Sequence, residues 1–318
     1  MWSPATRAAT VWRQVSDRLE TGVHRTGIAL ALAGAIAFSG KAIIVKLAYQ
    51  HPVDAATLIM YRMLFALPLF LAMAWWAERQ PAARAQPLTR RDILGIVGLG
   101  FMGYYLSSYL DFLGLQYVSA GLERLILYLN PTLVLVLGWL IYRRPLPPGR
   151  MLAMGVSYSG VLVVFGHEVL WAGDQVALGA MLVFLSAVTY ALYLIYSGEL
   201  VKRLGSMRLV GWASSVACVC CIVQFVLLRP LEAALVPTPV IGLSVLNAVA
   251  CTVAPVLLVM MAIERIGPGL TSQTGMVGPM STIALGVLIL EEPLNAWIGA
   301  GTLLVLGGVY MVTRQGAK

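Results

Sequence analysis

Five ionisable residues, Lys41, Arg62, Asp111, Glu123 and Arg124, stand inside stretches that are otherwise almost wholly apolar. A charge at the centre of a bilayer costs about 2.5–3.5 kcal/mol even on lenient insertion scales, so each one asks for a reason. The cations can receive a carboxylate or another anionic group of a solute. They can equally pair with Asp111, Glu123 or backbone carbonyls and hold helices together. Asp111, Glu123 and Arg124 also suit a gate or a coupling site that takes up a proton. Softer chemistry comes from Tyr105, Tyr109, Asn130, Tyr190, Tyr193 and Gln273, which can stack on a solute or hydrogen-bond to it. Lys46 lies within snorkelling reach of an interface and needs no such role.

The elements that must position these residues are membrane-spanning helices. The chain has 318 residues, 59% hydrophobic and 11% charged, with a mean hydropathy of +0.84. A soluble domain carries roughly 25% charged residues to keep its surface wet. Apolar runs recur near the ~20 residues needed to cross ~30 Å of hydrocarbon. Punctuation by Pro, Gly and charge places ten spans at 26–49, 55–77, 92–116, 121–142, 149–166, 176–199, 208–229, 239–263, 268–290 and 295–313. The expected fold is therefore all-α and polytopic. Lys41 and Arg62 each lie about eight residues from the outer ends of their spans, or about 12 Å deep at ~1.5 Å per residue.

Loop charges orient the spans. Seventeen of the 22 basic residues fall in alternate segments on one side, and only Arg229 falls in a segment on the other. That bias puts both termini in the cytoplasm. It also assigns the net charge of +8 to topology rather than to nucleic acid, since no basic face is interleaved with aromatics. Residues 1–25 form a polar, basic N-terminal tail, read as either an interfacial helix or a disordered segment. The following span contains Lys41 and Lys46 and exceeds a signal h-region, so it is retained.

The chain matches itself at a spacing of 148 residues. Gly121 falls on Gly269, Pro131 on Pro279, Gly138 on Gly286, Pro145-Leu146 on Pro293-Leu294 and Gly160-Val161 on Gly308-Val309. The repeat unit holds five spans, an odd number, so the halves 26–166 and 176–313 must lie in opposite orientations. Arg143-Arg144 is matched by Glu291-Glu292, the sign change that inversion favours. Inverted repeats are a recurring architecture of secondary transporters, with the substrate held at mid-depth between the halves. Pro131 and Pro279 take equivalent places and free the carbonyls of Leu127 and Gly275 four residues earlier. Those carbonyls are candidates for the binding site, or simply for kinks that neighbours satisfy.

Nothing calls for a cofactor or a metal: there is no HExxH, no Gly-x-Ser-x-Gly elbow and no phosphate-cradling loop. Cys218, Cys220, Cys221 and Cys251 all fall within spans and read as small hydrophobes. An enzyme is therefore disfavoured; a scaffold or sensor without transport is the alternative to a carrier.

The ensemble resembles the drug/metabolite transporter superfamily, EamA-type members in particular. The resemblance rests on ten spans in two halves, on Arg62 within 58–64, and on the Gly…Pro pattern of spans four and nine. It rests also on Leu288-Ile289-Leu290-Glu291-Glu292-Pro293-Leu294 leading into Ile298-Gly299-Ala300. The first half departs from it, with Arg143-Arg144 where many members carry an acidic residue. The resemblance implies a carrier working by alternating access, often an exporter of amino acids or other small metabolites. Its expected partners are a small-molecule substrate, the lipid bilayer of a bacterial-type inner membrane, and a proton or counter-substrate.

Overall fold

The computed structural model describes residues 4–143, 148–172, 175–275, 277–293 and 295–316, with side chains from Arg25 onward except at a few helical positions that include Ser272 and Gln273. Every element is helical among these residues. In hydrocarbon a helix alone satisfies its own backbone donors and acceptors, which is why apolar runs of this length take no other form.

The order is α1 (Pro4–Ala48), α2 (Ala55–Glu78), α3 (Pro81–Ala85), α4 (Arg90–Leu99), a π-helical segment Gly100–Leu106 and α5 (Ser107–Gly114). Then come α6 (Ala120–Leu127), α7 (Asn130–Tyr142), α8 (Pro148–Ala172), α9 (Gln175–Leu204) and α10 (Ser206–Leu228). A 3-10 turn, Leu231–Ala234, precedes α11 (Thr238–Ala248), a second π segment Val249–Val253, α12 (Ala254–Gly275), α13 (Val277–Ile289) and α14 (Ala296–Gly316). Among the described residues, eight helical stretches are long and apolar enough to cross a membrane, and two shorter apolar helices, Val277–Ile289 and Ala296–Met311, complete ten.

Helix starts follow local chemistry. Asp54 caps α2 by accepting from the N–H groups of Ala56 and Thr57. Thr89 and Asp92 form a reciprocal capping box on α4. Ser119 accepts from Leu122 N–H at the start of α6. Two boundaries differ from the sequence reading. α1 is one helix from Pro4, so the tail continues the first span. The break expected at 264–267 stays helical in backbone, yet Ile266 lies against Gly27 and Gly278 against Ser39. The chain has therefore turned back between them.

Backbone features recur at the 148-residue spacing. The two π segments match, residues 101–105 falling on 249–253. Asn130, first residue of α7, falls on Gly278 in the first turn of α13. Among the described residues, the two non-glycine positions with positive φ are Arg143 at 52° and Glu291 at 55°, one repeat apart. Arg144, Pro145, Leu146 and Leu294 lie outside the described residues.

The most extensive packing joins the halves: α1 with α12, α8 with α14, and α2 with α10. Between α8 and α14 the backbones touch. A Cβ on Gly160 would sit 2.6 Å from the carbonyl oxygen of Gly301, and one on Gly308 2.6 Å from that of Ala153. Such small-residue contacts let van der Waals attraction act where lipid tails leave no hydrophobic drive between helices. Large apolar side chains such as Leu94, Leu162, Leu227 and Leu303 point outward, as a lipid-facing surface requires.

Candidate functional site

A cavity of about 320 Å³ lies at mid-depth, bordered by residues of α1, α2, α6, α9, α10 and both π segments with the helices that follow them. Lys41, Arg62, Asp111, Arg124, Asn130 and Tyr190, expected from the sequence, all border it.

The two cations at matching depth have different surroundings. Lys41 Nζ lies 2.5 Å from Asp111 Oδ2 and 3.1 Å from Glu123 Oε1. Its charge is answered within the protein. Arg62 stands two turns into α2, is 4% exposed, and lays its guanidinium over the ring of Phe112 at 4.5 Å. It makes no ion pair among the described residues, and its Nε is sealed without a hydrogen-bond partner. A buried guanidinium with unmet donors is costly, and the cost falls when an anion arrives. Arg124 is tied: Nε donates to Thr282 Oγ1 at 3.0 Å and Nη2 to the Phe38 carbonyl at 2.7 Å.

The carbonyls freed by the two prolines both have partners. Asn130 Nδ2 donates to Leu127 O at 2.8 Å, and the Tyr128 hydroxyl donates to Gly275 O. Pro131 and Pro279 sit in the first turns of α7 and α13, where proline is tolerated. Each begins a new helix rather than bending an old one.

An aromatic group closes the side of the cavity away from the charges. The Tyr104 and Tyr193 hydroxyls lie 3.2 Å apart, and Tyr190 stacks on Tyr193 with ring centroids 5.5 Å apart. Tyr193 itself is buried behind Tyr104 and Tyr190. Tyr105 and Tyr109 stack on each other with centroids 6.5 Å apart and do not border the cavity. Glu123 is buried behind Lys41, and the side chain of Gln273 lies outside the described residues. The sequence reading left out Ser107, Ser108, Ser186, Ser214, Phe38 and Phe70, which also line the cavity. Ser107 and Ser186 face each other at 3.0 Å across α5 and α9.

The sequence profile of the EamA-like transporter family matches twice, over residues 25–166 and 177–314. The chain belongs to the EamA-like transporter family. The uncharacterized transporter YcbK of Bacillus subtilis is 30% identical over 296 residues, covering 90% of this chain and 91% of that one. An uncharacterized transporter of Archaeoglobus fulgidus is 21% identical over 294 residues, covering 92% and 98%. A chain of known crystal structure shares the fold at a TM-score of 0.62 with 14% identity, covering 92% of this chain and 98% of that one. The protein is a membrane-embedded transporter of a small molecule.

Both ends of this EamA-like transporter carry polar clasps between helices. At the end bearing the α1–α2 loop, Glu292 accepts from the Ala120 N–H at 2.9 Å, and Glu168 accepts from the Ser119 backbone and hydroxyl. These carboxylates sit at the N-terminus of α6, where a helix dipole favours negative charge. At the opposite end, Arg208 grips Glu78 through two 2.7 Å hydrogen bonds and donates to Gln86 O. Trp212 also donates to Glu78.

Proposed function

We propose that this protein is a secondary carrier for a small metabolite with an anionic group, such as an amino acid, and that its two halves, 26–166 and 176–313, alternate access to the central cavity. The observation that carries the reading is Arg62, a buried cation that borders the cavity and has no acidic partner among the described residues, where Lys41 is already paired with two carboxylates. The hydroxyls of Ser107, Ser108, Ser186 and Tyr104 offer the rest of a solute neutral hydrogen bonds. Clasps at both ends of the cavity support a cycle in which one set opens while the other holds. The reading places both termini in the cytoplasm of a bacterial-type inner membrane and export as the working direction.

The test is uptake of labelled amino acids and organic acids into inverted vesicles. Arg62→Gln should weaken the apparent affinity about 10- to 100-fold, the worth of a hydrogen bond to a charged group. Arg265→Gln, at an exposed arginine, should leave uptake unchanged. Uptake of an anionic solute at full affinity by Arg62→Gln would sink the reading.

A further inference from the structure

Asp111 is the one carboxylate bordering the cavity among the described residues. Its Oδ2 is taken by Lys41, while Oδ1 is sealed and has no hydrogen-bond partner. Glu123 lies on the other side of the same ammonium. Neither of its oxygens accepts a hydrogen bond, although Oε1 is within 3.1 Å of Nζ. The two carboxyls thus share one ammonium, Asp111 Oδ2 at 2.5 Å and Glu123 Oε1 at 3.1 Å from Nζ. Two ionised carboxylates so placed only repel. One proton turns facing acceptors into a donor and an acceptor, meeting Asp111 Oδ1 and one of the two Glu123 oxygens at once.

Other charged and titratable groups face this pair from the neighbouring helices. Lys41, Lys46 and Tyr49 come from α1, Arg62 from α2 and Arg124 from α6. Tyr49 donates its hydroxyl to Phe112 O, and Arg124 is held by Thr282 and Phe38. Arg62 is left as the site for a mobile anion. An anion there adds a negative charge beside Asp111, which favours proton uptake. By linkage, the proton favours the anion equally.

We infer that Asp111 and Glu123 share one exchangeable proton, and that this proton travels with an anionic substrate bound at Arg62. The coupling rests on the anion reading above; the proton site does not. Water on the loading side gives the proton to Asp111 Oδ1, forming an O–H bond and a neutral acid that donates to Glu123. Water on the far side takes it back. A monoanion and a proton crossing together carry no net charge, so export runs down the substrate's own gradient and takes protons out with it.

Infrared difference spectra of the protein in lipid bilayers, between acidic and alkaline buffers, test the site without any substrate. A protonated-carboxyl C=O band should titrate, vanish in Asp111→Asn, shift in Glu123→Gln and persist in Arg62→Gln. Asp111→Glu should restore it if Asp111→Asn proves unstable. Absence of the band in the wild type, or its survival in a folded Asp111→Asn, overturns the site. In proteoliposomes, a transported monoanion should accumulate about tenfold per unit of imposed pH gradient and ignore membrane potential. Asp111→Asn should keep exchange of labelled for unlabelled anion while losing the response to pH. Accumulation driven by potential and not by pH overturns the coupling. If no organic anion moves, the anion reading and the coupling both fall, and the band alone decides whether the proton site stands.

Discussion

The break in the fourth span and the break in the ninth are the same backbone device, completed in two different ways. In the first half, the carbonyl freed by Pro131 is met locally by Asn130, three residues along its own chain. In the second half, the position matching Asn130 is Gly278, which has no side chain to offer. The freed Gly275 carbonyl is met instead by Tyr128, reaching across from the first half. Gly278's own carbonyl takes a hydrogen bond from Ser39, again in the first half. The charges follow the same division. Asp111, Glu123 and Arg124 match Val259, Thr271 and Ser272. Duplication preserved the backbone, while the charges that border the cavity, Lys41, Arg62, Asp111 and Arg124, all came to stand in the first half.

The strongest way to break this comparison is to remove the charge that only one half carries. Lys41→Met strands Asp111 and Glu123 without their cation and should cost about 3–5 kcal/mol, the toll of breaking a buried pair. Adding Asp111→Val and Glu123→Thr, the residues of the second half, should restore most of that stability. Thermal denaturation of the purified variants checks it; a triple variant no more stable than Lys41→Met would mean the cluster is not a closed unit. A smaller effect separates the two breaks. Tyr128→Phe leaves Gly275 O unmet and should cost about 1–3 kcal/mol. Asn130→Ala should fall at the low end of the same range, because it also removes a buried Oδ1 that has no partner. Equal losses in denaturation would erase the distinction between local and borrowed completion.

The smallest effect concerns helix starts. Asp54 caps α2, whereas α10, its counterpart, begins after Gly205 at φ 80° with no side-chain cap. Burial opposes ionisation of Asp54. Hydrogen bonds from Thr57, the nearby Arg229 and the Ala56 N–H outweigh it and hold the carboxyl below its ordinary value. The stabilisation is therefore present above an unfolded pKa of about 3.9 and is lost as pH falls through the lower folded value. Asp54→Ala should cost about 0.5–2 kcal/mol at neutral pH, and the gap from wild type should narrow in acid. A gap that persists unchanged in acid would rule out the carboxylate as its source.

The spans and their duplication were legible in the sequence, because apolar length and the spacing of Gly and Pro are set by the bilayer and the backbone. The charged side of the cavity was legible too, since a charge in hydrocarbon draws notice. The pairing of Lys41 and the solitude of Arg62 were not; both stand at like depth in similarly apolar sequence, and only the contacts of Lys41 with Asp111 and Glu123 tell them apart. The serines were missed for a physical reason. A hydroxyl in a span hydrogen-bonds a carbonyl of its own helix, as Ser215 and Ser244 do, so its presence signals nothing. Tyr105 and Tyr109 were named with no face assigned to the third span. Through the π segment at Gly100–Leu106 and into α5, the cavity-lining residues Gly103, Tyr104, Ser107, Ser108 and Asp111 recur at i, i+1, i+4, i+5 and i+8, a face that leaves out Tyr105 and Tyr109.

That segment has a further consequence, best put as helical phase. A π turn holds one residue more than an α turn of the same span, so each carries a surplus of about 100° of rotation. Residues before and after it are out of step by that angle. Deleting a single residue between Gly100 and Leu106 would let the helix close up and swing Asp111 away from Lys41 with both loops left intact. Because Val249–Val253 holds the same surplus one repeat later, the transporter carries two opposed quarter-turns at mid-depth. Each one, on relaxing to α geometry, would turn one half of its helix against the other by that angle.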